Sequence, residues 1–331
     1  MMRLLVVETR RLWLRRLTWF TLFAGLLVIG LTGVATWQQA QPVSAAEQAQ
    51  SDNDYQQALK DWQANGEQML KDCLQQQAEA QKTDPKADFQ CQAASQAPQR
   101  EWFGRQPPSF LEIAQNTTRN AALTVGFLVF LIGASAVAAE FTTGAIGTWL
   151  TFEPRRLRVL TSKLVATGVT GFLASAALVA LLVGTTYAIS RYAGTVGALP
   201  SDGLRALGLL TLRVTAAATL AGLVGASLGA LTRHTGAAIA VALGYAVAIE
   251  GFVRAWKPEL APFLVDPNLN AWIGGQSTYS VPLCSTNAEG FYSCTYVEHT
   301  LWQADGARFG GIVVALLILA ALWAFRHRDV T

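Results

Sequence analysis

The residues able to do chemistry in this chain are few, and their spacing excludes most familiar chemistries. Gly225-Ala226-Ser227-Leu228-Gly229 matches GxSxG, the arrangement that holds a nucleophilic serine on a strand-to-helix elbow. Such an elbow needs a strand before it, and this one lies inside a long apolar run. The same residues match GxxxG, in which small side chains let two membrane helices approach closely, and packing is the preferred reading. No lysine follows a glycine anywhere, so the phosphate loop GxxxxGK[ST] is absent and no ATP hydrolysis is expected of this chain. HExxH is absent, and His234, His299 and His327 are scattered, so no metal-ligating or cofactor-holding cluster is expected.

Two charges interrupt the apolar runs. Arg213 and Glu250 lie on segments joined by a short turn at Arg233-His234, which makes them antiparallel neighbours with their charges at similar depth. A lone charge in hydrocarbon is costly, so an Arg213–Glu250 pair is expected. The alternatives are Glu250 with Arg254 one turn on, and Arg213 snorkelling outward. Four cysteines allow three pairings, and sequence proximity favours Cys73–Cys91 and Cys284–Cys294. Disulfides suit them better than metal binding, because their spacings are not CxxC and the orientation below places them in an oxidising space.

The elements that carry these residues follow from composition. Residues of the AVILMFWYC set make up 52% of the 331 and charged residues 14%, and the apolar ones cluster in six blocks. These blocks, 17–36, 120–139, 164–189, 206–231, 236–254 and 309–325, approach or reach the roughly 20 residues that cross a bilayer as a helix. Mixed Gly, Ala, Leu and Val without two-residue alternation argue against a barrel. The expected fold is an all-α membrane protein with six transmembrane helices. Segments 1–16, 140–163, 232–235 and 326–331 hold twelve Lys and Arg against four acids, while the remaining connections hold twelve against seventeen. The positive-inside rule then places both termini in the cytoplasm. The formal net charge of +3 is thus a difference between two faces and gives no reason to expect nucleic acid. The run before Ser44-Ala45-Ala46 is longer than a signal-peptide core, so it reads as an uncleaved first span.

On the outer side, 37–119 carries an apolar stripe at Tyr55, Leu59, Trp62, Met69 and Cys73, which predicts an amphipathic helix interrupted near Asn65-Gly66. A turn at Thr83-Asp84-Pro85 would return the chain to Cys91 as a helical hairpin, a gate, a docking surface or simply a solvated cap. Segment 255–308 reads as a short interfacial helix and loops closed by Cys284–Cys294. On the inner side, 1–16 interleaves leucines and tryptophan with arginines and reads as an amphipathic helix on the membrane surface, or as plain anchoring by arginines to membrane lipids. The largest inner connection, 140–163, places Ala145, Ile146, Trp149 and Leu150 on one helical face. That face is available either to the membrane or to a partner.

This inner stretch, AVAAEFTTGAIGTWLTFEPRRLRVLTSKLVA, resembles the permease subunits of type-two ATP-binding-cassette transporters. In those a span ends at an acidic residue, a Gly-containing amphipathic segment follows, then a Pro-Arg break, then a Lys opening the next span. The positions here are Glu140, Gly144, Pro154, Arg155, Arg156 and Lys163. ETRRLWLRRLTW and ALTRHTGAAIA resemble the inner-surface helix and the tight turn between spans four and five. The resemblance implies ATPase coupling through Glu140, Phe141, Gly144, Ile146, Trp149, Leu150, Pro154, Arg155 and Arg156. Pro154 would separate the coupling helix from span three, because it cannot continue a helical hydrogen-bond ladder. It also implies separate ATPase subunits carrying ATP and magnesium, a second permease copy as a homodimer or close paralogue, and a bacterial plasma membrane. The inner segment lacks the EAA-type loop of importers, so an exporter of an amphiphile such as a drug, peptide or lipid is preferred. The alternative is a membrane-anchored sensor or immunity protein whose outer hairpin binds a peptide or partner without transport.

Overall fold

The computed structural model describes residues 2–82, 87–91, 96–152, 155–286 and 292–328. Helices α1 (Met2–Leu14) and α2 (Arg16–Ala40) are followed by a long polar helix, α3 (Ala45–Gln81). Then come α4 (Phe110–Thr142), α5 (Ala145–Phe152), α6 (Arg156–Ala193) and α7 (Ser201–Thr232). Helix α8 begins at Thr235 and passes through a π-helical stretch at Tyr245–Val253 to Trp256. Helix α9 (Val265–Gly274), strands β1 (Gln276–Thr286) and β2 (Tyr292–Trp302), and helix α10 (Gln303–His327) complete the chain.

Among the described residues six helices, α2, α4, α6, α7, α8 and α10, are long and apolar enough to cross a membrane. All extend past the apolar blocks of the sequence, because helix formation does not stop where hydropathy falls. One end of the bundle gathers α1, α5 and the α7–α8 turn. There Arg156 Nη1 donates to Arg328 O at 2.9 Å, and Arg328 Nη1 to Leu231 O at 3.0 Å. At the opposite end the Phe110 N–H donates to Val196 O at 3.3 Å, and Arg105 Nη2 donates to Gln41 O at 2.7 Å at the exit of α2.

The centre of the bundle is the parallel crossing of α4 and α7. A methyl group added at Gly133 would collide with the carbonyl oxygen of Gly222, and one at Gly225 with that of Phe130. At Gly229 it would lie 2.6 Å from Ala134 O. Gly225 and Gly229 are therefore packing residues, and Ser227, fully buried, donates to Leu223 O at 2.8 Å within its own helix. Buried Ile29, Val129, Leu178, Val179, Leu182 and Val214 fill one half of the interior.

Two expectations for the outer segments are corrected. Helix α3 runs unbroken through Asn65-Gly66, because Gly66 is covered by the Trp62 ring, 3.2 Å from where a Cβ would stand. The chain does not return as a second long helix. Among the described residues, 87–91 and 96–109 hold a 3₁₀ turn at Arg100–Trp102 and a helical position at Cys91, and the expected turn at 83–85 lies outside the described residues. Ser51 Oγ donates to Phe103 O at 2.7 Å, and Arg100 meets Asp52 at 2.5 Å, which lays this return along the start of α3. The second correction is at 276–302, where an antiparallel hairpin replaces the expected loops, with Cys284 directly opposite Cys294. Disulfides join Cys73 to Cys91 and Cys284 to Cys294.

Candidate functional site

The site begins where α4 ends. Gly144 adopts φ +71°, a left-handed conformation that costs a glycine nothing and other residues much, so the chain breaks there and restarts as α5. Helix α5 is two turns long and anchored at one end. Ile146 is 1% exposed and packs with Leu12, Val137, Leu160, Leu164 and Phe325. Trp149 is half-buried beneath the Arg11 guanidinium, 4.7 Å from its ring centroid. Thr148, Thr151 and Phe152 face outward, Phe152 at 81% exposure. Of the apolar face read from the sequence, Ile146 is thus buried and Ala145 and Trp149 half-buried, while Phe152, outside that face, is the apolar residue turned outward. Leu150 lies on α5, but its side chain, like the whole of Pro154, lies outside the described residues.

Beside α5 sits a buried ionic cluster. Lys163, 2% exposed, places Nζ 2.6 Å from Glu140 Oε2 and 2.9 Å from Glu8 Oε2. Arg15 Nη2 donates to Glu140 Oε1 at 2.7 Å, and its Nη1 donates to the Ser135 carbonyl. Arg11 stands 3.9 Å from Glu8 at the rim. Two acids and two bases, all largely shielded, neutralise one another, as charges out of water must. The cluster joins α1, the end of α4 and the start of α6. Phe141 is held between the Phe325 ring, at 6.0 Å, and the Arg233 guanidinium, at 5.4 Å. Arg155 is exposed, and Arg156 is tied to the α10 end.

The sequence reading singled out Glu140 but missed Glu8, Arg11 and Arg15 as its surroundings, and missed Phe152. The signal for Glu8 was present: it is the only acid among the five arginines of 1–16, on the helix that precedes span one.

The structure does not bring Arg213 and Glu250 together, and the reason is a short helix between them. Glu250 Oε1 accepts from the N–H groups of Val265 and Asp266, at 2.5 and 3.1 Å, at the start of α9. Arg213 Nη1 points at Ile273 O, 3.5 Å away, near the end of the same helix. The acid sits at the positive end of α9 and the base at its negative end, the favourable sense for a helix dipole. Tyr245 adds a hydroxyl donated to Glu250 at 2.9 Å. Arg254 pairs with Asp266 rather than with Glu250. Among the described residues no cluster of His, Cys, Asp and Glu could hold a metal ion.

No curated protein and no solved structure matches the chain. A family profile does, over residues 9–270, which takes in α2 to α8, the ionic cluster apart from Glu8, and most of α9. Six membrane-length apolar helices among the described residues, a short helix that restarts after a glycine break and that match together make this multi-pass membrane protein a member of the ABC-2 family of transporter proteins.

Proposed function

We propose that this protein is the permease subunit of an ATP-driven exporter in a bacterial plasma membrane. It works as a homodimer, or paired with a similar permease, on two separate ATPase subunits that bind ATP and magnesium. The basic end of the bundle faces the cytoplasm, the disulfide-bearing end faces outward, and the cargo is an amphiphile. The observation that supports coupling is the ionic cluster beside α5. Lys163 and Arg15 bind Glu140, and Lys163 also binds Glu8, so a push on α5 reaches α1, α4 and α6 together.

In this reading the docking knob is the outward face of α5, Thr148, Thr151 and Phe152, while Ile146 is the root that keeps it in place. ATP-driven closure of the two ATPases tilts α5. Gly144 gives a hinge on one side, and the ionic cluster passes the motion to the start of α6. The test is co-purification with a co-expressed ATP-binding-cassette ATPase subunit. Phe152→Asp is expected to lose the ATPase while the permease stays folded. Retention of a fully active complex after replacement of all exposed α5 residues defeats the coupling role.

A further inference from the structure

Away from α5, helices α2, α4 and α6 enclose a cleft of ≈ 230 Å³. Its walls divide by depth. Toward the disulfide-bearing end, Thr32, Thr36 and Gln39 of α2 face Asn116, Asn120 and Thr124 of α4. Deeper, the lining turns to Val28, Ile29, Val125 and Leu128. The floor closes at Gly25, where a Cβ would stand 2.8 Å from Leu178 Cδ2.

The polar rungs repeat every three or four residues on both helices, so each lies on one helical face aimed at the other. Hydroxyl and carboxamide groups placed within a membrane helix normally find partners. Here the side chains of Thr36, Gln39 and Thr124 make no hydrogen bond among the described residues. Asn120 Nδ2 reaches only Asn116 Oδ1, at 3.4 Å. Among the described residues no Asp, Glu, Lys or Arg lines the cleft, and the guanidinium near its rim, Arg105, is turned to the backbone carbonyls of Gln38, Gln39 and Gln41. Such a surface offers donors and acceptors to a neutral group and nothing to an ion.

We propose that this cleft binds an amphiphile with an uncharged head rich in hydroxyl or amide groups. The head lies against Gln39, Asn116 and Asn120, and the chain runs down Val28, Ile29, Val125 and Leu128. The volume is below that of a drug-sized pocket, so the head and the first part of the chain are held and the rest is left to the bilayer. The proposal rests on the exporter reading, whose cargo class it narrows.

The test uses the full-length chain in nanodiscs without any ATPase, and decyl glucoside with a photoreactive diazirine on its chain. Saturable labelling is expected on peptides carrying residues 25–39 and 116–128. Unlabelled decyl glucoside should compete, and decyl phosphate and decyltrimethylammonium should not. Glucose alone should not compete either, and competition by it overturns the amphiphile assignment. The double variant Gln39→Leu/Asn116→Leu should weaken labelling about tenfold, as the loss of roughly 1.4 kcal/mol of hydrogen bonding would. Val28→Trp, which fills the apolar floor and leaves the polar rungs intact, should abolish it in a chain that still elutes as a single species. Equal competition by the charged amphiphiles, labelling confined to other peptides, or full labelling of Val28→Trp overturns the site. Labelling in a chain that recruits no ATPase overturns only the exporter reading, and a chain that recruits one but is not labelled overturns only this site.

Discussion

The Lys163 ammonium lies 2.6 Å from Glu140 Oε2, and neither side chain is reachable by solvent to any useful extent. The contact joins the last turn of α4 to the first turns of α6 across the break occupied by α5. An exposed ion pair at such a place would be worth little. A buried one behaves differently, because removing either partner strands the other in a medium that cannot solvate it.

Replacing Lys163 by Met is therefore expected to cost about 3–5 kcal/mol, since two carboxylates, Glu8 and Glu140, lose their shared cation. Lys163→Met combined with Glu8→Gln and Glu140→Gln should recover much of that loss. Thermal unfolding in detergent, followed by tryptophan fluorescence, reads both. Equal melting temperatures for Lys163→Met and the parent would show that the cluster is not buried as described.

The α4–α7 crossing has no room for a side chain at Gly133, where the carbonyl oxygen of Gly222 already stands. Gly133→Leu should destabilise by about 3 kcal/mol or more, at the upper end of overpacking costs, because backbone rather than a rotatable side chain must move. Gly147→Leu, on the open side of α5 with nothing within 4 Å of its Cβ, should be close to neutral in the same assay.

Glu250 holds the start of α9 through two backbone N–H groups. Glu250→Leu removes the Asp266 N–H acceptor and leaves the Val265 N–H only the Tyr245 hydroxyl, 3.2 Å away, so it should cost about 1 kcal/mol, the usual net worth of a hydrogen bond. The loss should be local. Amide exchange is expected to rise at 265–268 and to stay unchanged in α4. A uniform rise across the bundle would contradict this assignment.

At the start of α3, Ser44 and Glu47 form a reciprocal cap. The Glu47 carboxyl is held below the usual glutamate range, first by the Ser44 backbone N–H and then by the Ser44 hydroxyl. A lowered native pKa means the contribution is complete above the unfolded value and fades as pH falls through the native one. The first turn of α3 should therefore fray on acidification below the ordinary glutamate pKa. Nuclear magnetic resonance shifts of residues 45–48 follow this directly, and Glu47→Gln should remove the pH dependence there.

The spans were legible because apolar runs of this length have one stable outcome in a bilayer, whereas Gly144 was named only through the family resemblance and its left-handed break was not read. Local proximity was enough to pair Cys73 with Cys91 and Cys284 with Cys294. The ionic cluster was not legible, since Glu8 and Lys163 are separated by 155 positions and charge alone does not say which distant charge it will meet. The same limit misdirected the reading of Arg213 and Glu250. Depth placed them level, but a helix that no periodicity announced came between them. In β1 the alternation of Tyr279, Val281 and Leu283 was a strand signal, hidden among prolines, glycines and tryptophans that suggested loops. In α3, Asn65-Gly66 carried a turn signal that the Trp62 ring overrode.

The two disulfides have one further consequence, and it concerns freedom of movement. Each closes a short loop, its cysteines 18 and 10 positions apart in sequence, and each lies within a single connection. One sits between spans one and two, the other between spans five and six. No covalent strut therefore ties one of these connections to the other, and oxidation stiffens each of them without riveting the two together. Whatever movement the two connections make relative to one another, it leaves every cysteine paired.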